Sequence, residues 1–101
     1  MKIELLYFEG CPNWQLADTR LREALHAVGA AKTPVTYRTV GSPDEAERLG
    51  FRGSPTILVN GRDRFAAPGD PAGLACRIYP GAGGGHFLTV QQIQAVLTDA
   101  A

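Results

Sequence analysis

The chain is short of strong signals. It has two cysteines, two histidines, one tryptophan and one methionine in 101 residues. Ten basic and ten acidic residues cancel, and no block of like charge occurs. That absence argues against nucleic acid or an anionic membrane surface as the main partner. No apolar run approaches the ~18–20 residues needed to cross a bilayer. The N-terminal stretch from Met1 to Phe8 is interrupted by Glu4 and followed by Glu9, which makes it too short for an export signal. The expected compartment is therefore the cytoplasm, where thiols stay mostly reduced. Two cysteines there are catalytic, redox-active or inert more often than they form a structural staple. No Ser/His/Asp pattern is present. Gly81 to Gly85 lacks the strand-to-helix setting of a dinucleotide loop. A closed zinc site would need four ligands, and His26 falls on the polar side of a helix. No cofactor is expected.

What remains is sufficient for one domain. Hydrophobic residues make up 45% of the chain, enough for a core without metal or multiple disulfides. Ile3 to Phe8 is an apolar run with little alternation, as in a central strand covered on both faces. Pro12 suits a first helical position. Trp14, Ala17, Leu21, Ala24, Leu25 and Val28 then recur at helical spacing, and Gly29 ends the helix. Val35 to Val40 reads as a strand. Ser42-Pro43-Asp44-Glu45 is a capping box opening a helix to Leu49, with Gly50 as its stop.

Pro55 to Val59 is the next strand, and Asn60-Gly61 is a hairpin signal. Arg62 to Phe65 would be its edge partner. Residues 66–88 form a long connection with a glycine run, of the kind often functional in small domains. Leu88-Thr89-Val90-Gln91-Gln92 caps a last helix with Val90, Ile93, Val96 and Leu97 inward. The expected fold is α/β: a mixed four-stranded sheet with three helices on both faces, in one domain spanning residues 1–101.

Cys11 carries the chemistry. It lies between an apolar strand and an amphipathic helix, where unpaired backbone N–H groups and the helix dipole favour thiolate, the reactive form. Glu9, two residues away, opposes this, and Arg52 or His86 would offset it. With Gly10 as neighbour, Cys11 is expected to be exposed and reactive; the alternative is an inert, packed thiol.

The element order, Cys11 at a helix start, and Gly53-Ser54-Pro55-Thr56 before the third strand resemble the thioredoxin-like superfamily over residues 2–65 and 87–100. The chain is also similar to short bacterial thioredoxin-like proteins, some named after organomercurial lyases. The resemblance implies a cis Ser54–Pro55 bond facing Cys11, with the backbone of Ser54 left to pair with a substrate. It also implies thiol–disulfide exchange with a protein or low-molecular-weight thiol or disulfide. The motif here reads Cys11-Pro12-Asn13-Trp14, so Trp14 stands where the family's resolving cysteine would be.

The catalytic candidates are therefore Cys11, Pro55 and Cys76. If the Asn60-Gly61 hairpin returns the chain to the Cys11 end of the sheet, Cys76 reaches Cys11. If Cys76 to Tyr79 is itself the edge strand, Cys76 lies at the far end. Trp14 is a packing residue that walls the site. Pro12 and Ser54 flank a substrate, and Arg52 would meet an anionic group on it. Phe65 and Tyr79 would cover the site or close a minor cluster.

Two other functions fit less of the pattern. One is a non-catalytic binding module in which Cys11 is vestigial. The other is a soft-metal or organomercurial-handling protein. It would use Cys11 and Cys76 together, with Asp18, Asp63 or Asp70 as the acid.

Overall fold

A computed structural model describes residues 1–11, 14–65 and 88–100. Its elements run β1 (Ile3–Tyr7), α1 (Trp14–Ala27), β2 (Val35–Thr39), α2 (Pro43–Leu49), β3 (Thr56–Val59) and α3 (Val90–Ala100). The sheet order is β2-β1-β3. Strand β1 runs parallel to β2, from Ile3 opposite Val35 to Tyr7 opposite Thr39. It runs antiparallel to β3, from Ile3 opposite Val59 to Leu6 opposite Thr56.

The apolar run of β1 is explained by cover on both faces. Ile3 and Leu5 pack with Leu21, Ala24 and Leu25 of α1 and with Ile93 and Leu97 of α3. Leu6 faces the other way, into a smaller cluster with Val40, Ala46 of α2 and Phe51. Helices α1 and α3 thus share one face of the sheet and α2 takes the other. Each fully buried Ile, Leu, Val or Phe among them contributes ~1.5–3 kcal/mol. Strand β2 lies at one edge of the sheet, with Thr36 through Thr39 all exposed.

Local sequence sets the helix ends. Gly29 has φ 78°, and the N–H groups of Gly29 and Ala30 donate to the carbonyls of His26 and Leu25 at 3.1 and 2.8 Å. This paired pattern closes α1 with a left-handed residue that glycine adopts freely. Gly50 and Phe51 repeat it on α2, donating to Glu47 and Ala46. At the start of α2, Ser42 Oγ accepts from Glu45 N–H at 3.1 Å, while the Glu45 carboxylate accepts from Gly41 N–H at 2.8 Å. Thr89 and Gln92 exchange both bonds of a capping box at 2.9 and 3.1 Å.

The expected fourth strand does not form: the sheet has three strands among the described residues. Asn60 and Gly61 do make the tight turn, with φ 53° and 78°. After it, only a single bridge joins Val59 to Arg62. The Asp63 carboxylate then accepts from Phe65 N–H at 3.0 Å, a local bond that competes with a ladder. Arg64 pairs with Asp99 of α3, and Phe65 packs on the α1–α3 cluster. The chain therefore leaves the sheet plane toward α3. The 66–87 connection, with Asp70, Cys76, Tyr79 and His86, lies outside the described residues, as do Pro12 and Asn13.

Two losses of stability should separate core from cap. Leu5→Ala is expected to cost ~2–5 kcal/mol and Thr89→Ala ~0.5–2 kcal/mol, read from urea midpoints at unchanged slope. Equal losses would contradict the assignment of Leu5 to the centre of the core.

Candidate functional site

The register of β1 and β3 builds the site. Leu6 stands opposite Thr56, so the chain leaving β1 at Phe8 and the chain entering β3 at Ser54 meet at one end of the sheet. Cys11 N–H donates to Phe8 carbonyl at 3.2 Å, closing a four-residue turn. Gly10 at its third position has φ 90°, as a turn of this kind requires. The turn folds Cys11 back over the sheet end. Its Sγ lies 3.8 Å from the Ser54 carbonyl oxygen, as S–H donor to it.

The Ser54–Pro55 bond is cis, as the resemblance implied. Gly53 precedes it with φ 114°, and Thr56 Oγ1 donates to Gly53 carbonyl at 2.7 Å. Gly53, Ser54, Pro55 and Thr56 are all buried, and Arg52 is half-buried just before them. The Ser54 hydroxyl is buried and has no hydrogen-bond partner among the described residues. Such a group costs about 1–3 kcal/mol, a deficit that an incoming polar atom would relieve.

Two expectations change in detail. Cys11 is buried rather than exposed, at 4% of its free surface. The Ser54 carbonyl is engaged by the Cys11 thiol itself instead of standing open. Both follow from the same tight turn, which tucks the sulfur under the loop that carries Pro55.

Trp14 walls this end of the molecule, in an arrangement that the one-dimensional pattern did not reveal. Its ring stacks on Tyr7 at 4.2 Å and 13° and meets Tyr37 edge-on at 6.4 Å. Tyr7 and Tyr37 are brought together because alternate residues of paired strands share a face. The Tyr37 hydroxyl donates to Asp18 Oδ1 at 2.7 Å and accepts from Arg22. Arg22 also pairs with Asp18 across one helical turn at 3.2 Å, and its guanidinium sits 5.7 Å from the Tyr37 ring centre. The i, i+4 spacing of Asp18 and Arg22 was the only sequence signal for this cluster.

The remaining candidates disperse. Asp18 is committed to Arg22 and Tyr37, and Asp63 to Phe65 N–H. His26 is exposed, lining a shallow crevice with Gly29 and Lys32 at the far end of α1. Among the described residues, no group of three His, Cys, Asp or Glu side chains is placed to hold a metal ion. No described helix is long and apolar enough to cross a membrane.

A crevice of about 450 Å³ opens beside the Cys11 turn, at the carboxyl ends of the parallel strands β1 and β2. Phe8, Glu9, Thr39, Val40 and Gly41 line it.

Partial burial of the Tyr37 phenol, then its bond to Asp18, push its pKa up from the ordinary 10.0, with Arg22 pulling the other way. A folded-state pKa above the unfolded one gives stability that is complete below pH ~10 and is lost as pH rises through the folded value. Tyrosinate absorbance against pH should therefore show a late-titrating component that Tyr37→Phe removes. A curve unchanged by that substitution would contradict the Asp18–Tyr37 bond.

Searches of protein-family models, curated proteins and solved structures find no match to the chain.

Proposed function

We propose that the protein is a thioredoxin-like thiol–disulfide oxidoreductase working through Cys11 in a reducing cytoplasm. The observation that carries this reading is the placement of Cys11 Sγ 3.8 Å from the Ser54 carbonyl. One sulfur and one loop backbone converge where two neighbouring strands end. The aromatic wall of Trp14 beside that end supports the same reading.

The step is an exchange. Cys11 thiolate attacks one sulfur of a disulfide R–S–S–R, forming Cys11–S–S–R and breaking the original S–S bond. The leaving R–S⁻ takes a proton from water. With Trp14 in place of a second motif cysteine, either an outside thiolate R′–S⁻ attacks the R sulfur, forming R–S–S–R′ and freeing Cys11 as thiolate, or the Cys76 thiolate attacks the Cys11 sulfur, forming Cys11–S–S–Cys76 and releasing R–S⁻. Pro55 and Ser54 form the opposing wall, and the Ser54 hydroxyl, without a partner among the described residues, offers the incoming group a hydrogen bond. Arg52, half-buried just before that loop, flanks the approach.

The burial of Cys11 favours a second reading, a binding module in which the sulfur is only packing. One experiment decides. Native protein incubated with oxidised glutathione should gain the mass of one glutathione, and peptide mapping should place it on Cys11. The adduct should disappear on adding thiol and should not form in Cys11→Ser. A native protein that stays unmodified at Cys11 while its unfolded form reacts would establish the packing role.

A further inference from the structure

Tyr7, Trp14 and Tyr37 form a cluster that the exchange at Cys11 does not use. Indole and phenol rings are among the side chains that give up a single electron most readily, and Trp14 is the chain's one tryptophan. It touches two phenols that differ in one respect. Tyr7 is the closer, stacked at 4.2 Å and 13°, and its hydroxyl makes no hydrogen bond among the described residues. Tyr37 is the more distant, edge-on at 6.4 Å. Its hydroxyl, however, donates to Asp18 Oδ1 at 2.7 Å, the length of a bond to a charged acceptor. Arg22 donates to the same phenol oxygen and pairs with Asp18. Tyr37 is 38% exposed. It sits on β2, which β1 separates from β3, whereas the Cys11 sulfur lies against Ser54 on the β3 side.

That difference decides where an unpaired electron settles. A phenol loses an electron easily only when its proton leaves as well, because the phenol radical cation is a strong acid. A carboxylate that already holds the hydroxyl proton takes it without rearrangement, as a positioned base does. Tyr37 has such a carboxylate and Tyr7 has none among the described residues. We propose that Trp14, Tyr37 and Asp18 form a one-electron relay that carries oxidising equivalents from Trp14 to the exposed β2 edge. The co-reactant is a small one-electron oxidant such as the carbonate radical anion, which takes an electron from Trp14 and leaves as carbonate. Tyr37 then gives an electron to the indole radical cation while its hydroxyl proton crosses to Asp18. The indole is restored, and a neutral tyrosyl radical and an Asp18 carboxylic acid remain. The acid returns its proton to water, and Arg22 keeps its hydrogen bond to the phenol oxygen. A thiol in solution gives a hydrogen atom to the exposed tyrosyl, which restores Tyr37 and leaves a thiyl radical. The relay is independent of the exchange at Cys11 and ends on the other side of β1 from its sulfur.

Pulse radiolysis tests the relay in the intact protein, with azide radicals as the oxidant of Trp14. The visible absorbance of the tryptophan radical should decay as the narrower near-ultraviolet band of the tyrosyl radical rises, at a rate independent of protein concentration. Tyr37→Phe should abolish this phase although Tyr7 and Tyr79 are still present, and Tyr7→Phe should keep it. Asp18→Asn still accepts a hydrogen bond from Tyr37 but is not a base. It should slow the phase ~10²-fold, the low end of what a positioned base contributes. The native rate should also drop in deuterium oxide, an effect that ring packing alone does not produce. Far-ultraviolet circular dichroism checks each variant for an intact fold, and the two tyrosine variants control for each other. A phase that survives Tyr37→Phe, is lost in Tyr7→Phe or is absent from native protein overturns the relay. A rate unaltered by Asp18→Asn or by deuterium oxide removes Asp18 from it.

Discussion

Strand β1 is the constraint on which the rest depends. It is hydrogen-bonded along both edges and packed on both faces, so its position is fixed in every direction. The pairing of Leu6 with Thr56 then determines what sits at its end. A slip of one residue against β3 would turn Leu5 and Leu6 to the wrong faces and carry Ser54 away from the Cys11 turn. The energy holding the register comes from the two hydrophobic clusters. The site inherits its geometry largely from them; its own bonds include the S–H to carbonyl contact, the backbone turn bond and the Thr56 hydroxyl to Gly53 carbonyl bond.

That economy explains how the site reads chemically. A thiol needs an approach path, an opposing wall and a surface that keeps the partner in place. The Pro55 loop stands against the sulfur through the Ser54 carbonyl, and the stack of Trp14 on Tyr7 lies at the same end of β1. Tyr37, Asp18 and Arg22 hold the outer edge of the aromatic stack. Their exposed ion pair is worth little by itself, and its use is to fix the Tyr37 ring against Trp14.

Features that depend on neighbours in sequence were legible from the chain. Ser42 with Glu45, Thr89 with Gln92, and the glycines at 29 and 50 act within one turn of the helix they start or stop. Asn60-Gly61 likewise carries its own turn geometry. The cis Ser54–Pro55 bond was expected from the motif pair, whereas the engagement of the Ser54 carbonyl by the Cys11 thiol was not. The fourth strand failed because Asp63 bonds locally and Arg64 finds Asp99, a partner 35 positions away that no local pattern indicates. The Tyr7–Trp14–Tyr37 cluster stayed hidden for the same reason: it exists only once β1 and β2 are in register. The burial of Cys11 was missed because burial depends on what folds over a residue, and the flanking Gly10 speaks only to the backbone.

The most direct measurement is the rate constant of Cys11 toward one neutral disulfide, at one pH, in folded protein and in the same chain unfolded by urea. If the fold presents the sulfur for exchange, the folded protein reacts faster, because orientation is already fixed. A folded rate equal to or below the unfolded one would show that the loop around Pro55 only hides the thiol, and would contradict the account.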